Sequence, residues 1–147
     1  MPAPRYLLEP VKLTDVVVDD AFWTPRLEVN RTRTLPAQYR QLDETGRLDA
    51  WRRKWQPGQP HEPHIFWDSD VAKWIEAACY SLATHADPEL RSRVEALVAL
   101  IAANQQPDGY LNTHYSQVEP GKRWTNLRDC HELYCAGHLM EGAVAHF

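Results

Sequence analysis

The chain has 147 residues, 44% of them hydrophobic and 24% charged, with a formal net charge of −4. That is about one domain of ordinary globular composition, which excludes fibrous, low-complexity and disordered classes. The mild acidity offers no basic footprint for nucleic acid, and no segment approaches the ~18 apolar residues of a membrane span.

Residues 6–18, YLLEPVKLTDVVV, are rich in β-branched side chains and predict one or two short strands. The next stretch turns helical, with Thr24 as a cap and Pro25 at the first helical position. Pro36 predicts a kink, and Gly46 ends the segment. Residues 51–66 form a proline-rich loop bracketed by aromatics, the kind of ordered long loop that often carries function. From Trp67 a helical pattern is plain: Val71, Trp74, Ile75, Ala78, Cys79 and Leu82 recur at the spacing of one buried face. Asp68 or Ser69 is the expected N-cap. Asp87 and Pro88 open the following helix, whose stripe is Leu90, Val94, Leu97, Val98 and Ile101. Pro107–Tyr110 is a turn in which glycine supplies positive φ. A loop leads to a last helix from about Asp129.

That last helix carries Leu133, Ala136, Leu139, Met140, Ala143, Val144 and Phe147, with no later segment to cover them. The strand signals near the start also lack partner strands. Together these features suggest a piece of a larger protein. Helix pairs joined by alternately short and long loops fit a solenoid, a bundle or a closed α/α toroid.

Six Trp and six Tyr stand against three Phe. Their flat faces and polar tips suit a sugar groove, and equally the gaps between helices. Cys79, Cys130 and Cys135 are an odd number without a disulfide framework, so reduced thiols and a cytoplasmic setting are expected.

Three stretches could carry chemistry. In DCHELYCAGHLMEG, Asp129 to Gly142, helical spacing puts His131, Cys135 and His138 on one stripe. The apolar residues cluster opposite, so the stripe is expected to face solvent or a cavity. The zinc-protease pattern H-E-x-x-H fails because Cys135 stands at the second histidine. His131 and Cys135 could share an ion, but His138 lies ~10 Å from His131 along the axis. His131 is then either a hydrogen-bonding residue facing a sugar pocket or a capping histidine. In HIFWDSDVAKW, Asp68 and Asp70 could act as an acid–base pair, although carboxylates at a helix start more often cap it. Tyr110, Asn112 and His114 follow a rigid turn and could line a cleft.

Read in order, FWTPR, FWDSDVAKWIEAACYSL, QQPDGYLNT and CHELYCAGHLMEGAVAHF resemble the N-terminal part of the glycoside hydrolase family 127 type, the β-L-arabinofuranosidase group. The resemblance implies a mainly α fold: a partial (α/α)6 barrel over residues 21–147, preceded by an N-terminal strand segment at residues 1–20. It implies removal of non-reducing terminal β-L-arabinofuranose, or a related furanoside, with retention. It also implies a cysteine nucleophile on zinc and a glutamate acid/base. Those groups belong to a later part of the family's barrel, so no catalytic residue and no metal ligand is expected here: zinc belongs to the full-length family member, with none bound by this stretch. The implied substrate-binding residue is His131, with Trp67, Asp68, Asp70 and Tyr110 near the pocket. The expected partner is a carbohydrate, with neither nucleic acid nor membrane; the oligomeric state stays open. The rivals are a complete non-catalytic helical sugar-binding or scaffold domain, and an α/α-barrel enzyme with other sugar chemistry.

Overall fold

The computed structural model describes residues 8–147, and among them there are helices and loops but no strand. The expected N-terminal strand segment at residues 1–20 is therefore corrected over residues 8–20; residues 1–7 lie outside the described residues. Leu13–Asp15 makes a single 3-10 turn between extended residues at Lys12 and Val16. A strand exists only in a ladder, and no other described segment offers one.

Asp20 opens helix α1, Trp23–Val29. Its Oδ1 accepts from the N–H groups of Phe22 and Trp23, while Thr24 Oγ1 accepts from Asp20 N–H at 3.0 Å. The capping is reciprocal and centred on Asp20, rather than on Thr24 alone. A π turn over Asn30–Thr34 follows, and the chain then continues as α2, Leu35–Glu44. The kink expected at Pro36 takes this form: a widened turn makes room for the proline ring and its missing N–H. Gly46, at φ 84°, breaks the helix, and a short α3 runs from Arg47 to Trp51.

The two longest helices are α4, Trp67–Thr84, and α5, Pro88–Ala103. Asp87 caps α5 as its sequence predicts, accepting from Leu90 N–H at 2.9 Å. Three residues join α4 to α5, so the pair is antiparallel. The loop after Gly109 (φ 86°) contains a helix that periodicity did not reveal, α6, Thr113–Gln117, capped by Asn112. The last helix, α7, is Glu132–His146, three residues later than expected.

The core gathers Leu35, Leu42, Leu48 and Trp51 from the first helices with Val71, Trp74, Ile75, Ala78 and Cys79 of α4 and Leu90, Val94 and Leu97 of α5. The Trp74 indole N–H donates to Leu35 O at 3.0 Å, which satisfies the polar tip of a buried ring. The most extensive helix–helix contact is between α4 and α7. Ile65 and Phe66 meet Cys135 and His131, Lys73 meets Tyr134, and Ala72 meets Gly142. The start of α4 meets the start of α7 at Phe66 and His131, and the middle of α4 meets the later turns of α7 at Ala72 with Gly142 and at Glu76 with His138 and Glu141, so the two helices run in the same direction with their N-terminal ends adjacent. The other side of α7 stays uncovered: Leu133, Met140 and Val144 are 57%, 68% and 77% exposed.

Candidate functional site

The stripe of α7 that carries His131, Cys135 and His138 packs toward α4, contrary to the expectation that it faces away from the packing surface. Gly142 lies on the same stripe, and it decides the face. A Cβ there would sit 3.1 Å from the carbonyl oxygen of Ala72. Small residues let two helix backbones approach, whereas the larger Leu133, Met140 and Val144 are left outside. Cys135 is fully buried against α4, its thiol donating to Ile65 O at 3.4 Å. Burial, and after it the negative charge of Asp68, push that thiol up to about 12.

His131 itself is exposed and adopts a left-handed backbone, φ 55° and ψ 14°, immediately before α7. Its imidazole lies between aromatic neighbours, 6.0 Å from the Phe66 ring and 5.6 Å from the Tyr134 ring. Nδ1 is 3.1 Å from Asp129 O. If that nitrogen carries the proton, Nε2 is an acceptor free for a hydroxyl. Phe66 stacks in turn near His64, at 4.3 Å. The junction of the two helix starts is therefore an aromatic surface with imidazole edges.

Asp68 is buried and serves a different purpose from the N-cap expected of it. Helix α4 has no side-chain cap. Instead, Asp68 accepts from Thr113 N–H at 2.7 Å and from the Thr113 hydroxyl at 2.6 Å. It thereby caps α6, whose first residue is Thr113. Burial raises its carboxyl to about 6, against the pull of the Thr113 hydrogen bonds. Asp70 is half-buried and pairs with Arg47 Nε at 2.7 Å; the same guanidinium lies 4.9 Å above the half-buried Trp67 ring.

Tyr110 is 8% exposed, and its hydroxyl donates to Glu132. Burial first, and then this hydrogen bond, hold the phenol well above its usual range. The other oxygen of Glu132 accepts from Trp124 N–H at 2.6 Å. Glu132 thus ties the turn at Tyr110 and the loop at Trp124 to the first residue of α7, beside His131. Asn112 and His114 are buried rather than cleft-lining: Asn112 caps α6, and His114 Nδ1 lies 2.7 Å from Pro63 O.

The fold therefore brings the five named residues to one end of the α4–α7 pair, in two layers. His131, Trp67 and Asp70 reach the surface; Asp68 and Tyr110 lie behind it, in internal hydrogen bonds. Glu132 and Arg47 join them without having been singled out from the sequence. Glu132 stood in plain view inside HELY; nothing in the pattern marked Arg47. A groove of ≈ 690 Å³ lies elsewhere, bordered by Trp51, Arg53, Asn104, Gln106 and Arg123, and none of the five lines it.

The residues present do not fit a zinc–thiolate centre. Cys135 is a buried, protonated donor, and burial raises the Cys79 thiol as well. Among the described residues, the group that could hold an ion is Glu76, His138 and Glu141, without a cysteine.

The family profile described as "Beta-L-arabinofuranosidase, GH127 catalytic domain" matches residues 15–147. The chain is 47% identical over 87 residues to a non-reducing end β-L-arabinofuranosidase of Bifidobacterium longum subsp. longum. That alignment covers 56% of this chain and 13% of the relative. The crystal structure of a GH127 β-L-arabinofuranosidase from Geobacillus stearothermophilus T6 superposes with a TM-score of 0.82 at 43% identity, over 89% of this chain and 22% of that one. The chain thus spans less than a quarter of either relative's length. With the match running from Asp15 to Phe147, this chain belongs to the GH127 β-L-arabinofuranosidase catalytic-domain family.

Proposed function

We propose that residues 21–147 form the first helices of an (α/α)6-barrel catalytic domain, in a glycoside hydrolase that releases non-reducing terminal β-L-arabinofuranose, or a related furanoside, with retention. The observation that carries this reading is the aromatic and imidazole surface at the adjacent starts of two parallel helices, in a chain of this family. Parallel α4 and α7 with α5 returning antiparallel fit the alternation of an α/α toroid. The uncovered apolar face of α7 fits a further helix packed against it.

In this reading His131 hydrogen-bonds sugar hydroxyls in the −1 pocket, Trp67 offers a ring face, and Asp70 is oriented by Arg47. Asp68 and Tyr110 position that surface from behind. The 147-residue chain alone hydrolyses nothing, because none of its cysteines is placed as a metal-bound nucleophile. Its three free thiols support a reducing, cytoplasmic setting, and among the described residues no helix is long and apolar enough to cross a membrane.

The test compares the 147-residue chain with a longer protein carrying it, on aryl β-L-arabinofuranosides and on uronides, with NMR of the first anomer released. Retention by the longer protein and silence from the short chain are expected. Activity on uronides alone, or hydrolysis by the short chain, refutes the reading. His131→Ala in the longer protein is expected to lower kcat/KM by at least about tenfold, the loss of about one hydrogen bond; an unchanged value removes His131 from the pocket.

A further inference from the structure

Halfway along the α4–α7 contact, away from the helix starts, three metal-competent side chains meet. Glu76 comes from α4, and His138 and Glu141 from successive turns of α7. One ligand atom from each lies within 4.8 Å of the other two. We propose that Glu76, His138 and Glu141 form a divalent-cation site, taking zinc with one water, that clamps α4 to α7.

The donor chemistry suits such an ion. One imidazole and two carboxylates supply three ligands, and water completes four-coordination. Ligands at 2.0–2.2 Å from zinc in a tetrahedron sit about 3.3–3.6 Å apart, so these side chains need to close by little more than ~1 Å. Residues three apart on one helix share a face, so His138 and Glu141 can both reach toward Glu76 on the facing helix.

A second observation concerns His138 itself. Its Nδ1 is shielded from solvent and lies 2.7 Å from Glu141 Oε2, yet out of line for a hydrogen bond. A shielded ring nitrogen without a hydrogen-bond partner is uncommon, and here it is turned toward carboxylate oxygens. The ring is also held in place: Tyr134 packs edge-on against it at 4.6 Å. The nearby cation, Lys73, is occupied by the Tyr134 ring and hydroxyl instead of pairing with Glu76. The two helices are held at close range by Gly142 on Ala72, so the ligands arrive on a rigid frame.

The site is separate from the sugar reading and is tested without activity. Zinc chloride is titrated into the metal-free 147-residue chain by calorimetry, with Cys130→Ser as the background so that the half-buried thiol does not compete. One zinc per chain and a raised thermal midpoint are expected. His138→Ala and Glu76→Gln should each weaken binding at least tenfold, with helical content by circular dichroism unchanged. Histidine-ring NMR provides a second readout, in which zinc shifts the His138 signals and leaves those of His85 in place. Absence of stoichiometric binding overturns the proposal. So does an affinity unchanged from the parent's in either variant, or a shift confined to His131 or His64.

Discussion

Replacing Thr113 with valine keeps the shape of the side chain and removes the hydroxyl that donates to Asp68. In the native protein, burial lifts the Asp68 carboxyl from 3.8 to about 6 while the Thr113 hydrogen bonds pull it down. Its folded value lies above its unfolded one. Its contribution to stability is therefore complete below the unfolded value and is lost as pH rises through the folded value. At about 1.4 kcal/mol per pH unit, the native site surrenders on the order of 3 kcal/mol between those two values. Thr113→Val removes one of the downward pulls, so the folded value climbs further and the loss continues toward neutral pH. A hydrogen bond to a buried charge is worth about 1.5–3 kcal/mol. The variant is thus expected to be destabilised by about 2 kcal/mol at pH 8 and by much less at pH 5, where the carboxyl is protonated. Urea unfolding followed by far-UV circular dichroism at the two pH values measures this. A penalty equal at both, or below about 0.5 kcal/mol at pH 8, would refute the assignment of Asp68 as a buried, charged cap for α6.

Three further outcomes follow from packing and backbone geometry. Gly142→Leu forces a side chain into the Ala72 carbonyl, 3.1 Å from the first added carbon, and is expected to cost about 1–3 kcal/mol; an unchanged thermal midpoint would mean that α4 and α7 are not in close contact. Gly46→Ala places a Cβ 2.5 Å from His61 Cβ at a φ of 84°, so a loss of more than about 1 kcal/mol in urea unfolding is expected. Met140→Lys with Val144→Lys charges the exposed face of α7 and should lower binding of a hydrophobic dye and self-association by light scattering, with stability changed by less than about 0.5 kcal/mol. Undiminished dye binding would place the sticky surface elsewhere.

What could be read in advance depended on how far apart the partners lie in the chain. The Asp87–Pro88 start of α5 and the positive φ at Gly109 were legible because both are set by adjacent residues. The partner of Asp68 is 45 residues away and that of Tyr110 is 22 residues away, so a local rule assigned Asp68 to capping its own helix. Helix α7 misled for another reason. Its large apolar residues Leu133, Met140 and Val144 cluster on the side that stays exposed, so apolar spacing pointed to the wrong inner face. The signal lay in size: Cys135 and Gly142, seven residues apart, mark the side on which another backbone comes near. The strand expectation failed because β-branched residues favour an extended chain but cannot supply its partner.

The left-handed backbone at His131 gives that position a double filter. Histidine is among the residues that tolerate positive φ, together with glycine, asparagine and aspartate, whereas a β-branched residue there is strained. A library randomised at this codon would therefore lose members for two unrelated reasons, one conformational and one chemical. Asparagine separates them, since it keeps the turn and discards the imidazole. Arg53 and Trp124 hold the same left-handed backbone elsewhere in the chain, so the conformational half of the filter costs about 1–2 kcal/mol and leaves the chemical half to be read from the survivors.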